Sequence, residues 1–128
     1  MNVPEDRSYT ESHEWVLVEG SIATIGITDF AQDQLSDLTF VELPTVGDSV
    51  AAEDEVAVVE SVKAASDVYA PVSGTICDVN AALADKPETL NEDPFGAGWL
   101  FKVELSNTAE LDDLMDAATY AQSMPDDD

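Results

Sequence analysis

Apolar and polar residues alternate along much of the chain in short runs, with the two-residue period that predicts half-buried β-strands. Gly, Pro, Asn or Asp separates most of these runs, and the segment 19–21 has the composition of a hairpin turn. The predicted strands are 14–18, 22–27, 38–43, 55–61, 67–70, 75–79 and 99–105. Many short strands joined by tight turns are typical of a small β-sandwich or flattened barrel.

Helical spacing appears at two places along the chain. After Thr28, a suitable N-cap, three apolar residues share one helical face and predict a short internal helix. Near the C-terminal end, apolar residues three and four apart predict a second helix with Asn107 or Thr108 as N-cap. The apolar positions of the two helices are Phe30, Ala31, Leu35, Leu111, Leu114, Met115 and Ala118. The segment 80–85 has room for one helical turn, and 91–98 has the composition of an ordered loop.

The length of 128 residues suits one domain, and no repeat or low-complexity linker indicates a second. We therefore expect a single domain over 1–128, with flexible ends at 1–8 and 123–128. The hydrophobic fraction of 45% argues against a disordered polyanion. No apolar run is long enough to span a bilayer and no targeting segment is recognisable, so we expect a cytoplasmic protein.

The charge of the chain is unusual, because 28 Asp and Glu against 4 Lys and Arg give a formal net charge of -24. Such a surface repels phosphates and anionic lipid headgroups, which disfavours binding to nucleic acid or to a membrane. The carboxylates are dispersed over a chain of normal apolar content, which indicates a halophilic protein whose self-repulsion is screened by salt. The alternative is an acidic mimic of DNA or a cation binder, but the chain lacks carboxylate rows and a calcium-loop motif.

One cysteine and one histidine leave little scope for metal or thiol chemistry. Cys77 has no partner for an intramolecular disulfide, and a zinc site built from clustered cysteines is excluded, so we expect no metal site. We interpret Cys77 as a strand residue without a redox role, and His13 as structural because no nucleophile stands beside it. We expect four aromatic residues to pack in the core or under loops: Tyr9, Trp15, Phe40 and Trp99.

The lysines are informative because there are only three of them, Lys63, Lys86 and Lys102. Lys102 points outward on a predicted strand beside Glu104, so we interpret it as a solvated edge-strand residue. Lys86 stands before a proline in a polar stretch, and we assign no role to it.

Lys63 lies between two predicted strands and has Val62 and Ala64 as neighbours instead of turn-forming residues. A hairpin tip with small apolar neighbours and one projecting amine is a shape that a modifying enzyme can bind. The alternative is an ordinary turn lysine that is paired with Glu60 or Asp67, and the spacing alone leaves both open.

The segment 60–67, ESVKAASD, closely resembles the lipoylation motif of the glycine cleavage system H protein family. Three further blocks agree with that family in order and spacing: 12–15 (SHEW), 26–32 (GITDFAQ) continuing into 40–44 (FVELP), and 91–99 (NEDPFGAGW). The resemblance covers 9–120, and four matching blocks make it highly specific.

The chain departs from the family pattern at two positions that concern backbone geometry. Ser36 replaces a glycine that is usual before the third strand, and Glu53 stands where the family tends to have a turn glycine. Neither departure concerns Lys63. The resemblance implies a mainly β fold, a lipoyl/biotinyl-type barrel-sandwich hybrid with a short internal helix and a C-terminal helix packed on one side.

The resemblance also implies a non-catalytic carrier of glycine catabolism and one-carbon metabolism, with lipoic acid joined to Lys63 by an amide. In the family, the lipoyl arm takes an aminomethyl group from glycine decarboxylase (the P protein) to the aminomethyltransferase (the T protein). Dihydrolipoamide dehydrogenase (the L protein) then reoxidises the arm. A lipoylating enzyme is the fourth partner, and Glu60 is a candidate residue for its recognition of the hairpin.

A loaded arm that ends in a cationic amine needs an acceptor and protection from water. Glu14 and Asp67, with Ser12 as a neutral partner, lie in the matching blocks and are the candidates for an arm-docking cleft. The alternative is that these three are solvated surface residues.

Four other functions remain to be weighed. A biotin carrier usually has methionine on both sides of its lysine, where this chain has Val62 and Ala64. A lipoyl domain of a 2-oxoacid dehydrogenase is normally shorter and lacks the blocks 12–15 and 91–99. An H-like protein that relays lipoyl groups to other acceptors needs the same lysine, so the sequence does not separate it from the glycine cleavage carrier. An independent enzyme has the least support, because no catalytic triad, phosphate loop or metal cluster is visible.

Overall fold

The computed structural model describes residues 3–123, which form two antiparallel sheets and several short helices. The strands are β1 (Ser8–Tyr9), β2 (Glu14–Glu19), β3 (Ile22–Ile27), β4 (Leu38–Glu42), β5 (Ser49–Val50), β6 (Glu55–Ser61), β7 (Ala65–Tyr69), β8 (Gly74–Val79) and β9 (Phe101–Leu105). The larger sheet has the order β1-β2-β3-β9-β8-β5, and the smaller sheet has the order β4-β6-β7. The predicted mainly β fold class is confirmed, in the form of two sheets and not of a closed barrel.

The main core is a single cluster of buried apolar side chains to which both sheets contribute. Its members include Val16, Ile25 and Val103 from the larger sheet and Val41, Val59 and Val68 from the smaller one. Full burial of a side chain of this size stabilises the fold by about 1.5–3 kcal/mol. A second cluster, Tyr9, Trp15, Ala117 and Tyr120, joins the N-terminal strands to the C-terminal segment.

The internal helix α1 (Asp29–Leu35) begins where the sequence predicts it. Thr28 Oγ1 accepts a hydrogen bond from Ala31 N at 3.2 Å, which is the N-cap interaction. Two helices of four residues, α2 (Ala82–Asp85) and α3 (Thr89–Glu92), follow β8. The predicted turn in 80–85 is therefore present as α2, and the predicted loop 91–98 begins inside α3.

The prediction of one continuous C-terminal helix is wrong. Asn107 Oδ1 accepts a hydrogen bond from Ala109 N as a cap, but it begins a 3-10 helix (Thr108–Asp113), and α4 (Ala117–Ser123) starts after a break. At the break, Met115 pairs with Tyr9 through two backbone hydrogen bonds of 2.8 Å each. This long-range pairing interrupts the helix, and the spacing of apolar residues along the chain does not predict it.

The predicted locations of two residues, Lys102 and Phe40, are also wrong. Lys102 is not at an edge, because β9 lies between β3 and β8, and its Nζ is 5.1 Å from the centroid of the Trp99 ring. Phe40 is not in the core, since its side chain is 49% exposed. A register shift between Leu38 and Phe40 moves Phe40 to the outer face of the smaller sheet.

Part of each predicted flexible end lies outside the described residues, namely 1–2 and 124–128. Within the described part, Arg7 Nη1 donates to the Phe95 carbonyl at 2.9 Å, and its guanidinium lies 4.7 Å from the Trp15 ring centroid. Ser123 is the last residue of α4. None of the helices between 3 and 123 combines the length and the apolar character that crossing a membrane requires.

Candidate functional site

The hairpin of β6 and β7 ends in a tight turn that carries Lys63. Ser61 closes this turn, because its amide donates to the Ala64 carbonyl at 2.8 Å. Its Oγ also accepts hydrogen bonds from the amides of Lys63 and Ala64 at 3.1 Å each. A serine hydroxyl can stabilise a turn in this way without glycine or asparagine. The predicted location of Lys63 at a hairpin tip is confirmed, and its side chain is exposed.

Two backbone carbonyls, one in the last turn of α1 and one between α1 and β4, hold the turn from one side. Lys63 Nζ donates to the Gln34 carbonyl at 3.2 Å, and Val62 N donates to the Asp37 carbonyl at 3.2 Å. Gln34 is in the last turn of α1, where carbonyls without a helical partner attract cations. Across residues 3–123 Lys63 forms no salt bridge, so the interpretation of Lys63 as a turn lysine paired with Glu60 or Asp67 is wrong.

A cavity of about 600 Å³ lies at the other end of β7. Ser12 and Glu14 line it together with Tyr69, the last residue of β7, and Glu53 and Met115 contribute further lining. Tyr69 is six positions after Lys63 in the chain, which corresponds to about 20 Å of extended strand. The strand β7 therefore leads from the lysine to the cavity.

Glu14 is the buried charged group of this cavity, with 2% of its surface exposed. Its carboxylate accepts hydrogen bonds from Thr10 Oγ1 and, at 3.2 Å, from Tyr69 N. Burial raises the pKa of the Glu14 carboxyl above its usual value, and the two hydrogen bonds act in the opposite direction. Within the described part of the chain this carboxylate has no cationic partner, so a cationic ligand would offset its desolvation.

The structure brings Ser12 and Glu14 to one cavity but leaves Asp67 outside its lining. Asp67 is exposed near the middle of β7, on the way from Lys63 to the cavity. A hydrogen bond with Asp67 and the charge of Asp67 raise the pKa of Glu55, so these two carboxyl groups lie side by side. Glu60 is exposed on β6, opposite Phe40 and Ala65.

His13 and Cys77 lie in surroundings that fit their structural interpretation. His13 Nδ1 is 2.8 Å from the Tyr120 hydroxyl, and the His13 ring centroid is 4.6 Å from that of Phe30. Cys77 is exposed on β8. Among residues 3–123, no three or more His, Cys, Asp or Glu side chains are grouped so that they could hold a metal ion.

Sequence reasoning missed two residues that organise the site. The Thr10 hydroxyl donates a hydrogen bond to the Glu14 carboxylate. Asn91 on α3 makes hydrogen bonds to the connection between α1 and β4. No spacing identifies Thr10, and the sequence shows Asn91 only as the first residue of the matching block 91–99, without its partners.

An exposed lysine at the hairpin tip of a two-sheet β fold is the arrangement of carrier proteins of the lipoyl/biotinyl class. The model of one family, described as glycine cleavage H-protein, matches residues 7–127. The chain therefore belongs to the glycine cleavage H-protein family, which confirms the resemblance carried by the four sequence blocks.

Individual relatives agree with this assignment. The chain is 57% identical over 127 residues to the glycine cleavage system H protein of Stenotrophomonas maltophilia, covering 98% of this chain and 97% of that protein. It is 56% identical over 118 residues to the protein of the same name from Carboxydothermus hydrogenoformans, covering 92% and 91%. The crystal structure of a glycine cleavage system H protein from Mycobacterium marinum matches with a TM-score of 0.86 and 43% identity, covering 94% of this chain and 97% of the other.

Proposed function

We propose that this chain is the lipoyl-bearing carrier of a glycine cleavage system, with lipoic acid attached to Lys63 through an amide. It carries the aminomethyl group from glycine decarboxylase to the aminomethyltransferase, and reducing equivalents to dihydrolipoamide dehydrogenase. The observation that carries this proposal is the exposed Lys63 at a hairpin tip that is hydrogen-bonded to α1, in a chain of this family.

The residues at the tip fit a covalently attached arm. The Lys63 side chain is exposed, and the two residues that follow it are alanines. Its ammonium donates one hydrogen bond, to a backbone carbonyl, and acylation would replace this ammonium by an amide. When attached, lipoic acid supplies a disulfide that can be opened and reformed by thiol–disulfide exchange. The chain supplies a tether, which raises the local concentration of the arm at each partner's site.

We propose the cavity as the place where the cationic end of a loaded arm docks. Glu14 supplies a partly desolvated carboxylate, and Ser12 supplies a neutral hydrogen-bonding group in the same lining. Asp67 lies on the path along β7 and supplies a second carboxylate before the cavity is reached. Enclosure by the cavity walls limits the access of water to the docked group.

Glu60 lies on the same hairpin as Lys63 and is exposed, which supports its proposed role in recognition by the lipoylating enzyme. A partner that binds this hairpin meets a surface of negative charge, so complementary basic residues on the partner would favour association.

The test is reconstitution with purified glycine decarboxylase. Glycine-dependent exchange of labelled bicarbonate is measured with protein treated with lipoate, ATP and a lipoate ligase. We expect exchange with the wild-type chain and with Lys86→Arg, an exposed lysine elsewhere, and none above background with Lys63→Arg. Equal exchange with Lys63→Arg would contradict the proposal.

A further inference from the structure

Asn91 makes three side-chain hydrogen bonds to the region that joins α1 to β4. Its Nδ2 donates to Gln32 Oε1 at 2.9 Å and to the Ser36 carbonyl at 2.7 Å. Its Oδ1 accepts from Leu38 N at 2.9 Å. One amide group therefore binds the last turn of α1, the connection that follows it and the first residue of β4.

This connection contains a backbone conformation that needs support. Ser36 has φ 68° and ψ -149°, a region that favours glycine and costs other residues about 1–3 kcal/mol. Such a conformation persists where neighbouring groups fix it. The Ser36 amide donates to the Gln32 carbonyl at 3.0 Å, and its carbonyl accepts from Asn91, so both polar backbone groups of Ser36 are fixed.

The Lys63 turn is held by this connection together with the last turn of α1. The Gln34 carbonyl accepts from Lys63 Nζ, and the Asp37 carbonyl accepts from Val62 N. Leu38 is paired with Ser61, the residue that closes the turn. A displacement of the segment 36–38 would therefore move the turn, which this segment contacts through the Asp37 carbonyl and the pairing of Leu38.

We infer that Asn91 is a positioning residue for the acylation of Lys63, because it fixes the segment against which the Lys63 turn is held. The inference rests on the proposed lipoylation. In that reaction the neutral amine of Lys63 attacks the carbonyl carbon of a lipoyl adenylate, the new N–C bond replaces the bond to AMP, and a proton leaves to solvent. An enzyme that binds a preformed turn avoids the entropy cost of ordering it.

The test compares acylation of purified apo-protein by a lipoate ligase with lipoate and ATP, in the wild type, Asn91→Ala and Asn80→Ala. Asn80 is a matched control, since its Nδ2 donates to the carbonyls of Ala97 and Trp99 at 2.8 and 2.7 Å. We expect Asn91→Ala to lower kcat/KM about tenfold, mainly through KM, because the enzyme must then order the turn itself. We expect Asn80→Ala to stay within about twofold of the wild type at a comparable loss of thermal stability.

A second readout separates positioning from loss of the fold. Acetylation of Lys63 by a small reagent, followed by peptide mass, needs no bound turn, so Asn91→Ala should react at least as fast as the wild type. Asn91→Asp keeps the acceptor for Leu38 N but loses both donors, and it replaces Asn91→Ala in the assay if that variant does not fold.

Enzymatic acylation of the Asn91 variant at the wild-type rate would overturn the inference, and so would an equal loss in Asn80→Ala. Failure of the wild-type chain to be acylated at Lys63 would instead overturn the proposed function, and the inference with it.

Discussion

Backbone strain is concentrated at particular residues of this chain. In the described region, His13, Ser36 and Glu53 have positive φ values of 71°, 68° and 78° without being glycine. Ser36 and Glu53 are also the two positions at which the resemblance to the family leads us to expect glycine. One lies in the connection beside the Lys63 turn, and the other lines the cavity. Their positive φ values therefore cost stability next to the site.

Ser36→Gly and Glu53→Gly should each raise the free energy of unfolding by about 1 kcal/mol, since glycine adopts these dihedral angles without a Cβ clash. The measurement is denaturant unfolding in molar KCl, where the change in charge at Glu53 is screened. Ser49→Gly in β5 is the control and should lower the free energy by about 0.5–1 kcal/mol. If Ser36→Gly lowered the free energy of unfolding as much as Ser49→Gly does, the proposed backbone strain at Ser36 would be contradicted.

Glu14→Gln tests the docking role of the buried carboxylate. The glutamine can accept from Tyr69 N and donate to Thr10, so the fold is preserved while the charge is lost. We expect the loaded protein to hydrolyse about tenfold faster, since a hydrogen bond to a charged group contributes about 1.5 kcal/mol or more. Glu19→Gln, an exposed glutamate at the end of β2, is the control. Unchanged hydrolysis in Glu14→Gln would remove Glu14 from the docking site.

The same variant gives a pH dependence of stability. The pKa of the Glu14 carboxyl is higher in the folded than in the unfolded chain. The protonated carboxyl therefore contributes stability that is complete below the unfolded pKa of 4.5 and is lost as the pH rises through the folded pKa. Glu14→Gln should therefore be more stable than the wild type at pH 7, and this difference should shrink as the pH falls towards 4.5. Denaturant unfolding of both proteins at several pH values checks it, and a wild type more stable at pH 7 would contradict it.

At the scale of the elements, the larger sheet depends on close contact between β8 and β9. A Cβ built on Gly74 would lie 2.0 Å from the Glu104 carbonyl oxygen and 2.6 Å from Val103 Cγ1. The obstacle is backbone of the neighbouring strand, which has no flexible end to move away. Gly20 has φ 66° in the β2–β3 turn, and a Cβ built on it would have open space around it.

Gly74→Ala should lower the free energy of unfolding by about 3 kcal/mol, because the strands must separate to accept the methyl group. Gly20→Ala should cost only about 1 kcal/mol, from dihedral strain alone. Thermal or denaturant unfolding of the two variants gives the comparison. Equal losses would show that the two strands adjust without cost.

Local elements were predictable from the sequence where short-range physics determines them. The strand alternation, the Thr28 cap and the position of Lys63 between two strands depend on neighbouring residues alone. The break before α4, the interior location of β9 and the outward direction of Phe40 depend on long-range pairing or on a register shift. For the same reason the family motifs identify Ser12 and Glu14, while the partners of Glu14 and the bonds of Asn91 required the assembled fold.

At the scale of the whole molecule, the net charge of -24 opposes the compact state in dilute buffer. The described residues contain one salt bridge, between Arg7 and Asp6, so most carboxylates are not neutralised by a cation of the chain. At about 1 M salt the Debye length falls to about 3 Å, which screens the repulsion between separated carboxylates. An environment of high salt would therefore stabilise this chain, as the halophilic hypothesis requires.

The melting temperature should accordingly rise by several degrees between dilute buffer and molar KCl, and it should rise most steeply at low salt, where screening changes fastest. Sucrose at matched osmolality is the control, because it stabilises through exclusion from the surface without screening charge. A melting temperature that is the same in dilute buffer and in molar KCl would contradict the adaptation to salt.

The central claim is that Lys63 is the attachment site of the lipoyl arm. The direct measurement is the intact mass of the chain isolated from its native host during growth on glycine, followed by peptide mapping. We predict one lipoyl increment located on Lys63, with Lys86 and Lys102 unmodified as internal controls. An unmodified Lys63 in cells that are actively cleaving glycine would contradict the carrier function.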